Sequence, residues 1–205
     1  VRNRLAVAMF RAWWHPFSQY GVIHGDPHLG NYTVFEEGGE ATGINLLDYG
    51  CVRIFPVQFI QGVVELYEGL LAHDEARIVH AYELWGFKGL RRDVIEVLNI
   101  WARFIYGPLL EDRVRTVADG IPPGQYGRRE MMQVVQELKA KGPVRIPQEF
   151  VFMDRAAIGL GAVFLHLDAK LNFCSLFNEA FGEAGRSPQA IEARQAEALA
   201  RSGLN

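Results

Sequence analysis

The stretch His24-Gly25-Asp26-Pro27-His28-Leu29-Gly30-Asn31 is followed, with Asp48 seventeen positions beyond Asn31, by Leu46-Leu47-Asp48-Tyr49-Gly50. Between the two, Tyr32-Thr33-Val34-Phe35 and Gly43-Ile44-Asn45-Leu46-Leu47 read as short strands. They are joined through Glu36-Glu37-Gly38-Gly39-Glu40, the Gly-rich turn of a hairpin. Antiparallel pairing brings the residue that enters a hairpin and the residue that leaves it to the same end, so Asn31 and Asp48 are expected near each other. That expectation rests on the strands alone. Asp26 stands five positions before Asn31, and so belongs to the same end.

Outward from this stretch the pattern is helical. Leu5, Met9, Ala12, Trp13 and Phe17 recur at spacings of three to four and predict a helix over residues 4–20, ended by Gly21. After Pro56, which suits a first turn, Ile60, Val63, Val64, Tyr67, Leu70 and Leu71 mark the apolar face of another helix. Further helices are predicted at 74–86, 91–106, 128–141, 148–169 and 188–202, with Val94, Val97, Leu98, Trp101, Phe104 and Ile105 forming the clearest stripe. The segments around Asp119–Gly124 and at Gly142-Pro143 read as loops. The fold class is therefore α+β, mainly α, with one small β-hairpin. Residues 1–184 are expected as one unit, and 185–205 as a C-terminal surface helix and tail.

Composition narrows the function. Of 205 residues 49% are apolar and 22% charged, which suffices for one core-bearing domain. A net charge of −3, with no cluster of Lys and Arg among aromatics, argues against nucleic acid as a partner. Two cysteines, Cys51 and Cys174, without a Cys-x-x-Cys pair suggest neither a disulfide framework nor a zinc ribbon, and point to a reducing, cytoplasmic setting. The longest nearly uncharged run, Ile158 to Leu167, falls well short of the roughly 20 residues that span a bilayer. The chain opens at Val1 without a Met or a signal-peptide pattern, and reads as part of a longer protein.

An Asp, an Asn five residues later and a distant Asp opening an Asp-aromatic-Gly turn make the spacing of a phosphoryl-transfer loop. In that reading Asp26 is the catalytic residue, orienting or accepting the proton of an attacking hydroxyl or water. Asn31 and Asp48 are the metal ligands, because Mg²⁺ prefers oxygen donors and shares them with the phosphates of ATP. His28 is placed to touch a phosphate or the acceptor, or else to cap the loop. His24 is expected to pack and hydrogen-bond beneath the metal-binding turn, Tyr49 to pack as the turn's aromatic, and Cys51 to be buried. Taken singly, Asp26 is equally an ordinary turn-forming Asp before Pro27; the joint arrangement is what points to function. A rival chemistry would use His24, Asp26 and His28 as ligands of a dinuclear hydrolase. It needs further His/Asp clusters, whereas His15, His73, His80 and His166 are scattered on segments that read as helices or their ends.

At these residues the chain resembles the UbiB/AarF-like atypical kinase family, whose loop reads His-x-Asp-Pro-His-Pro-Gly-Asn and precedes an Asp-Phe-Gly-type turn. Phe17 to Ile23 and the pattern Gly161 to Asp168 followed by Asn172 extend the similarity to most of residues 4–180. Leu29 and Tyr49 depart from the family's Pro and Phe without removing a ligand. The resemblance implies the C-terminal lobe of a protein-kinase-like fold. The N-terminal lobe that grips ATP, with its Lys-x-Gly-Gln signature, is expected upstream, since the first Lys in the chain is Lys88. It further implies an ATP- and Mg²⁺-dependent kinase or ATPase supporting ubiquinone or other prenyl-lipid metabolism, inactive as this chain alone, with peripheral membrane contact or a lipid-biosynthesis complex. Only five residues separate Gly50 from Pro56, and no Ala-Pro-Glu sequence follows, so no peptide-docking segment is available. A small-molecule or lipid-like acceptor, or water, is expected instead. Aminoglycoside- or choline-kinase-like phosphotransferases share a similar loop, and a non-catalytic nucleotide-binding scaffold is the alternative from another class.

Overall fold

In a computed structural model describing residues 1–121, 125–141 and 146–203, the chain begins with helix α1 (Arg2–Tyr20). Its stripe buries Ala6, Met9, Phe10, Trp13 and Phe17. Gly21 ends it in the left-handed conformation (φ 69°), with its N–H on the Phe17 and Pro16 carbonyls. A Cβ there would lie 2.7 Å from the Phe55 carbonyl oxygen, so the position needs glycine for space as well as for backbone.

Four strands follow: β1 (Val22–His24), β2 (Tyr32–Glu37), β3 (Glu40–Leu46) and β4 (Val52–Ile54). The predicted hairpin is β2–β3, longer than its sequence signal and turning at Gly38-Gly39, both with positive φ. A second antiparallel pair, β1 with β4, corrects the expectation of a single small hairpin. Its register sets Val22 against Ile54 and His24 against Val52. Three-residue strands are too short to show an alternation, which is why the sequence did not reveal them.

The rest is helical: α2 (Val57–Ala72), α3 (Glu75–Leu84), α4 (Arg92–Tyr106), α5 (Arg128–Lys141), α6 (Gln148–His166), α7 (Phe173–Ala180), α8 (Glu183–Arg186) and α9 (Pro188–Ser202). Asp74, Asn172 and Ser187 cap α3, α7 and α9 by accepting from backbone N–H groups in the first turn. Helix α7 was not anticipated, although Asn172 is its cap. Leu71, expected on the buried face of α2, is 45% exposed. The predicted loops at 122–124 and Gly142-Pro143 lie outside the described residues.

The core is continuous and aromatic. Phe17 meets Phe55 and Phe181 edge-on, Phe55 meets Phe59 at 4.8 Å, and Phe59 stacks on Trp85. The C-terminal helix joins this body: Ile191 is 1% exposed, Arg194 donates to the Gln19 carbonyl, and Gln195 Nε2 donates to the carbonyls of Tyr20 (2.8 Å) and Phe55 (3.0 Å). Gln195 therefore fastens the end of α1 to the end of β4. Among the described residues no helix is long and apolar enough to cross a membrane.

Candidate active site

Strand β1 delivers the loop and β4 leaves the turn, so their pairing sets residues 24–26 beside residues 48–51. Gly25 N–H donates to the Cys51 carbonyl at 2.9 Å, continuing the ladder one step past the strands. On the other side the hairpin closes through Leu47 N–H to the Asn31 carbonyl, also 2.9 Å. Two short sheets thus share one end, and the loop and turn emerge there.

His24 joins them. It is 6% exposed, its Nδ1 accepts from the Asp26 N–H at 3.2 Å, and its Nε2 bonds the Asp48 carbonyl oxygen. Because Nδ1 is the acceptor, the proton sits on Nε2 and is donated to that carbonyl. One ring therefore fixes the backbone of both acidic residues, the structural role expected of it. Trp13 on α1 packs 5.5 Å from the His24 ring, with Tyr32 edge-on to Trp13 at 6.4 Å. The Tyr32 hydroxyl and Trp13 Nε1 are buried without a hydrogen-bond partner among the described residues, and burial raises the Tyr32 pKa.

Asp26 and Asn31 are tied directly. Asn31 Nδ2 donates to the Asp26 carbonyl oxygen at 3.1 Å and to its carboxylate Oδ2 at 3.0 Å. This orientation leaves the Asn31 side-chain oxygen as an acceptor facing elsewhere. A 3₁₀ turn over Leu29–Asn31 brings the two together, and His28 caps it by accepting the Gly30 N–H at 3.1 Å. Of the two roles open to His28 in the sequence, capping is the one seen; its other ring nitrogen lies on an exposed residue. Pro27 is buried against α6, where Gly159 makes the room: a Cβ there would stand 2.6 Å from Pro27 Cγ.

Asp48 is exposed, and its Oδ1 accepts the Gly50 N–H at 2.7 Å, which bends the chain into the turn and leaves Oδ2 outward. Two expectations are corrected here. Tyr49 does not pack as the aromatic of the turn; it is 63% exposed, because the turn carries it out from the core. Cys51 is half-buried rather than buried, since β4 lies at the edge of a two-stranded sheet.

The donors that Asp26, Asn31 and Asp48 present are carboxylate and amide oxygens on an accessible surface, a set that fits Mg²⁺ completed by water and phosphate oxygens. Among the described residues no group of three or more His, Cys, Asp and Glu could hold a metal ion. The dinuclear alternative also fails on its own residues: both nitrogens of His24 are engaged by backbone, and Nδ1 of His28 is spent on its cap. Sequence reasoning missed three supports of this site. Trp13 was visible only as one member of the α1 stripe, Gly159 only as a helical glycine, and the Cys51 carbonyl carried no signal at all.

Known proteins can now be set beside this geometry. Residues 1–82 match the family model of the ABC1 atypical kinase-like domain. An uncharacterized protein of Synechocystis sp., sll1770, is 25% identical over 182 residues, which cover 85% of this chain and 28% of that protein. The chain therefore spans 28% of the length of this relative. No solved structure matches the chain. The matched residues take in α1, both strand pairs and α2, every element that holds His24, Asp26, Asn31 and Asp48, so over residues 1–82 the chain is similar to the ABC1 atypical kinase-like domain, consistent with the UbiB/AarF-like atypical kinases that its loop resembles.

Proposed function

We propose that this site serves ATP- and Mg²⁺-dependent phosphoryl transfer, as the lower half of an atypical kinase or ATPase of the UbiB/AarF type. The observation that carries the reading is the linkage of the two acids: His24 holds the backbones of Asp26 and Asp48, and Asn31 holds the Asp26 carboxylate. Catalysis of this kind depends on charges and ligands fixed before the substrate arrives, and the loop is built for fixity.

Each residue then has a task suited to its atoms. Asp26, with Oδ2 restrained by Asn31, keeps Oδ1 for the hydroxyl or water that attacks, orienting it and receiving its proton. The outward oxygens of Asn31 and Asp48 hold the cation. Mg²⁺, when bound, neutralises charge on the phosphates. His28, with Nδ1 accepting, presents Nε2–H as a donor toward phosphate oxygens. The acceptor is a small or lipid-like molecule or water, because the chain passes from Gly50 through β4 straight into α2 and leaves no segment to dock a peptide. A role in ubiquinone or other prenyl-lipid metabolism follows from the resemblance alone.

The test is ATP turnover and Mg²⁺-dependent nucleotide binding, measured on this chain and on a longer protein containing it. Asp26→Asn should lower turnover by at least 100-fold with nucleotide binding retained. Asp48→Asn should abolish the Mg²⁺ dependence of binding. Turnover indifferent to both substitutions overturns the assignment.

A further inference from the structure

Away from the loop, the helical body holds a partly open cavity of about 390 Å³. This volume falls in the range of small-molecule pockets, roughly 300–1,000 Å³. Its wall comes from five helices and is apolar and aromatic, with Trp101 and Phe104 from α4, and Phe150 and Met153 from α6. Phe150 lies 4.7 Å from the Trp101 ring.

One carboxylate breaks that wall. Asp154 lines the cavity, and its Oδ1 accepts from Trp101 Nε1 at 2.7 Å. Among the described residues Oδ2 takes no hydrogen bond, and no Lys, Arg or His pairs with the carboxylate. Burial raises its pKa, with the Trp101 bond opposing in part, so the ionised form gains from any opposite charge brought beside it. A carboxylate beside indole and phenyl faces is the chemistry that recognises an organic ammonium: the acid supplies the opposite charge, the rings supply cation–π attraction and apolar burial. On α6 the same helix opens the space. Gly161 lines the cavity, and a Cβ added to it would meet nothing within 4 Å.

We infer that this cavity is a binding site for an apolar amine, its ammonium paired with Asp154 and its body against Trp101, Phe104 and Phe150. The inference stands independently of the phosphoryl-transfer reading, since it uses none of the loop residues. It is tested on the full 205-residue chain with 4-phenylbutylamine and its neutral counterpart 4-phenylbutan-1-ol, by calorimetry and by quenching of tryptophan fluorescence. The amine should bind at least tenfold more tightly than the alcohol. Asp154→Asn, which keeps an acceptor for Trp101, should erase that preference and leave alcohol binding unchanged. Gly161→Leu should abolish binding of both with the helical circular dichroism intact; if it unfolds the chain, the Asp154→Asn comparison decides alone. Equal affinity for amine and alcohol, a preference that survives Asp154→Asn, or no binding of either at millimolar concentration overturns the inference.

Discussion

His24 shows how much of the site depends on one buried ring. Its two nitrogens satisfy a donor from Asp26 and an acceptor from Asp48, groups that no other described side chain bonds. His24→Phe preserves the packing on Trp13 and strands both backbone groups. Since a buried polar group left unpaired costs about 1–3 kcal/mol, the variant should lose stability of that order in urea denaturation. Its Mg²⁺-nucleotide affinity should fall further than its stability, because the relative placement of Asp26 and Asp48 is lost with the ring. At this scale the sequence was informative in one respect: the expected service of His24 beneath the turn is what the structure contains. The bond from Asn31 to the Asp26 carboxylate was not legible, since it depends on a 3₁₀ turn three residues long. The outward Tyr49 was misread because an aromatic between Asp and Gly gives no sign of which way the turn faces.

Helix α6 illustrates the element scale through two glycines two residues apart. Gly159 receives Pro27, whereas Gly161 borders open space. Replacing an interior helical Gly with Ala gains about 0.5–1 kcal/mol when nothing is displaced, so Gly161→Ala should raise the melting temperature. Gly159→Ala should lower it by the equivalent of about 1–3 kcal/mol, the cost of overpacking against a ring that cannot turn aside, and should disturb the loop that Pro27 carries. Thermal denaturation of the two variants side by side checks the contrast. Helices with an apolar stripe, such as α1, α2 and α4, were readable from residue spacing because burial on one face imposes the period. The β1–β4 pair and α7 were not: the first is too short for any period, and the second announces itself only through a cap, Asn172, that also fits a loop.

For the whole molecule, the aromatic core sets the response to alkali. Burial pushes the hydroxyls of Tyr67 and Tyr126 up to about 12, with the Cys174 contact adding to the effect at Tyr67, and raises those of Tyr82 and Tyr106 still more. A tyrosine whose pKa is higher folded than unfolded contributes stability that is whole below the unfolded value near 10 and is lost as pH climbs toward the folded one. The denaturant midpoint should therefore hold level to about pH 9.5 and drop steeply between pH 10 and 12. A midpoint flat across that window would mean that these rings are not buried. The Arg77 guanidinium, held above its ordinary range by its bond to Glu65, remains charged throughout and should not contribute to the drop.

Gln195 carries a consequence for the order of assembly. The strand pair that carries the loop and turn is three residues long on each side, and the side chain that fastens it belongs to α9, far along the chain from either strand. A nascent chain that has emerged through residue 82 holds the whole motif yet lacks its clasp, so the two acids reach their final spacing late, after residues far beyond them have been synthesised. Hydrogen exchange at Val52 and Gly25 should accordingly be faster in a chain ending at Arg186 than in the 205-residue chain. Exchange unchanged by that truncation would show that the pair closes unaided. Chemistry read from residues 24–50 is thereby placed under the timing of α9.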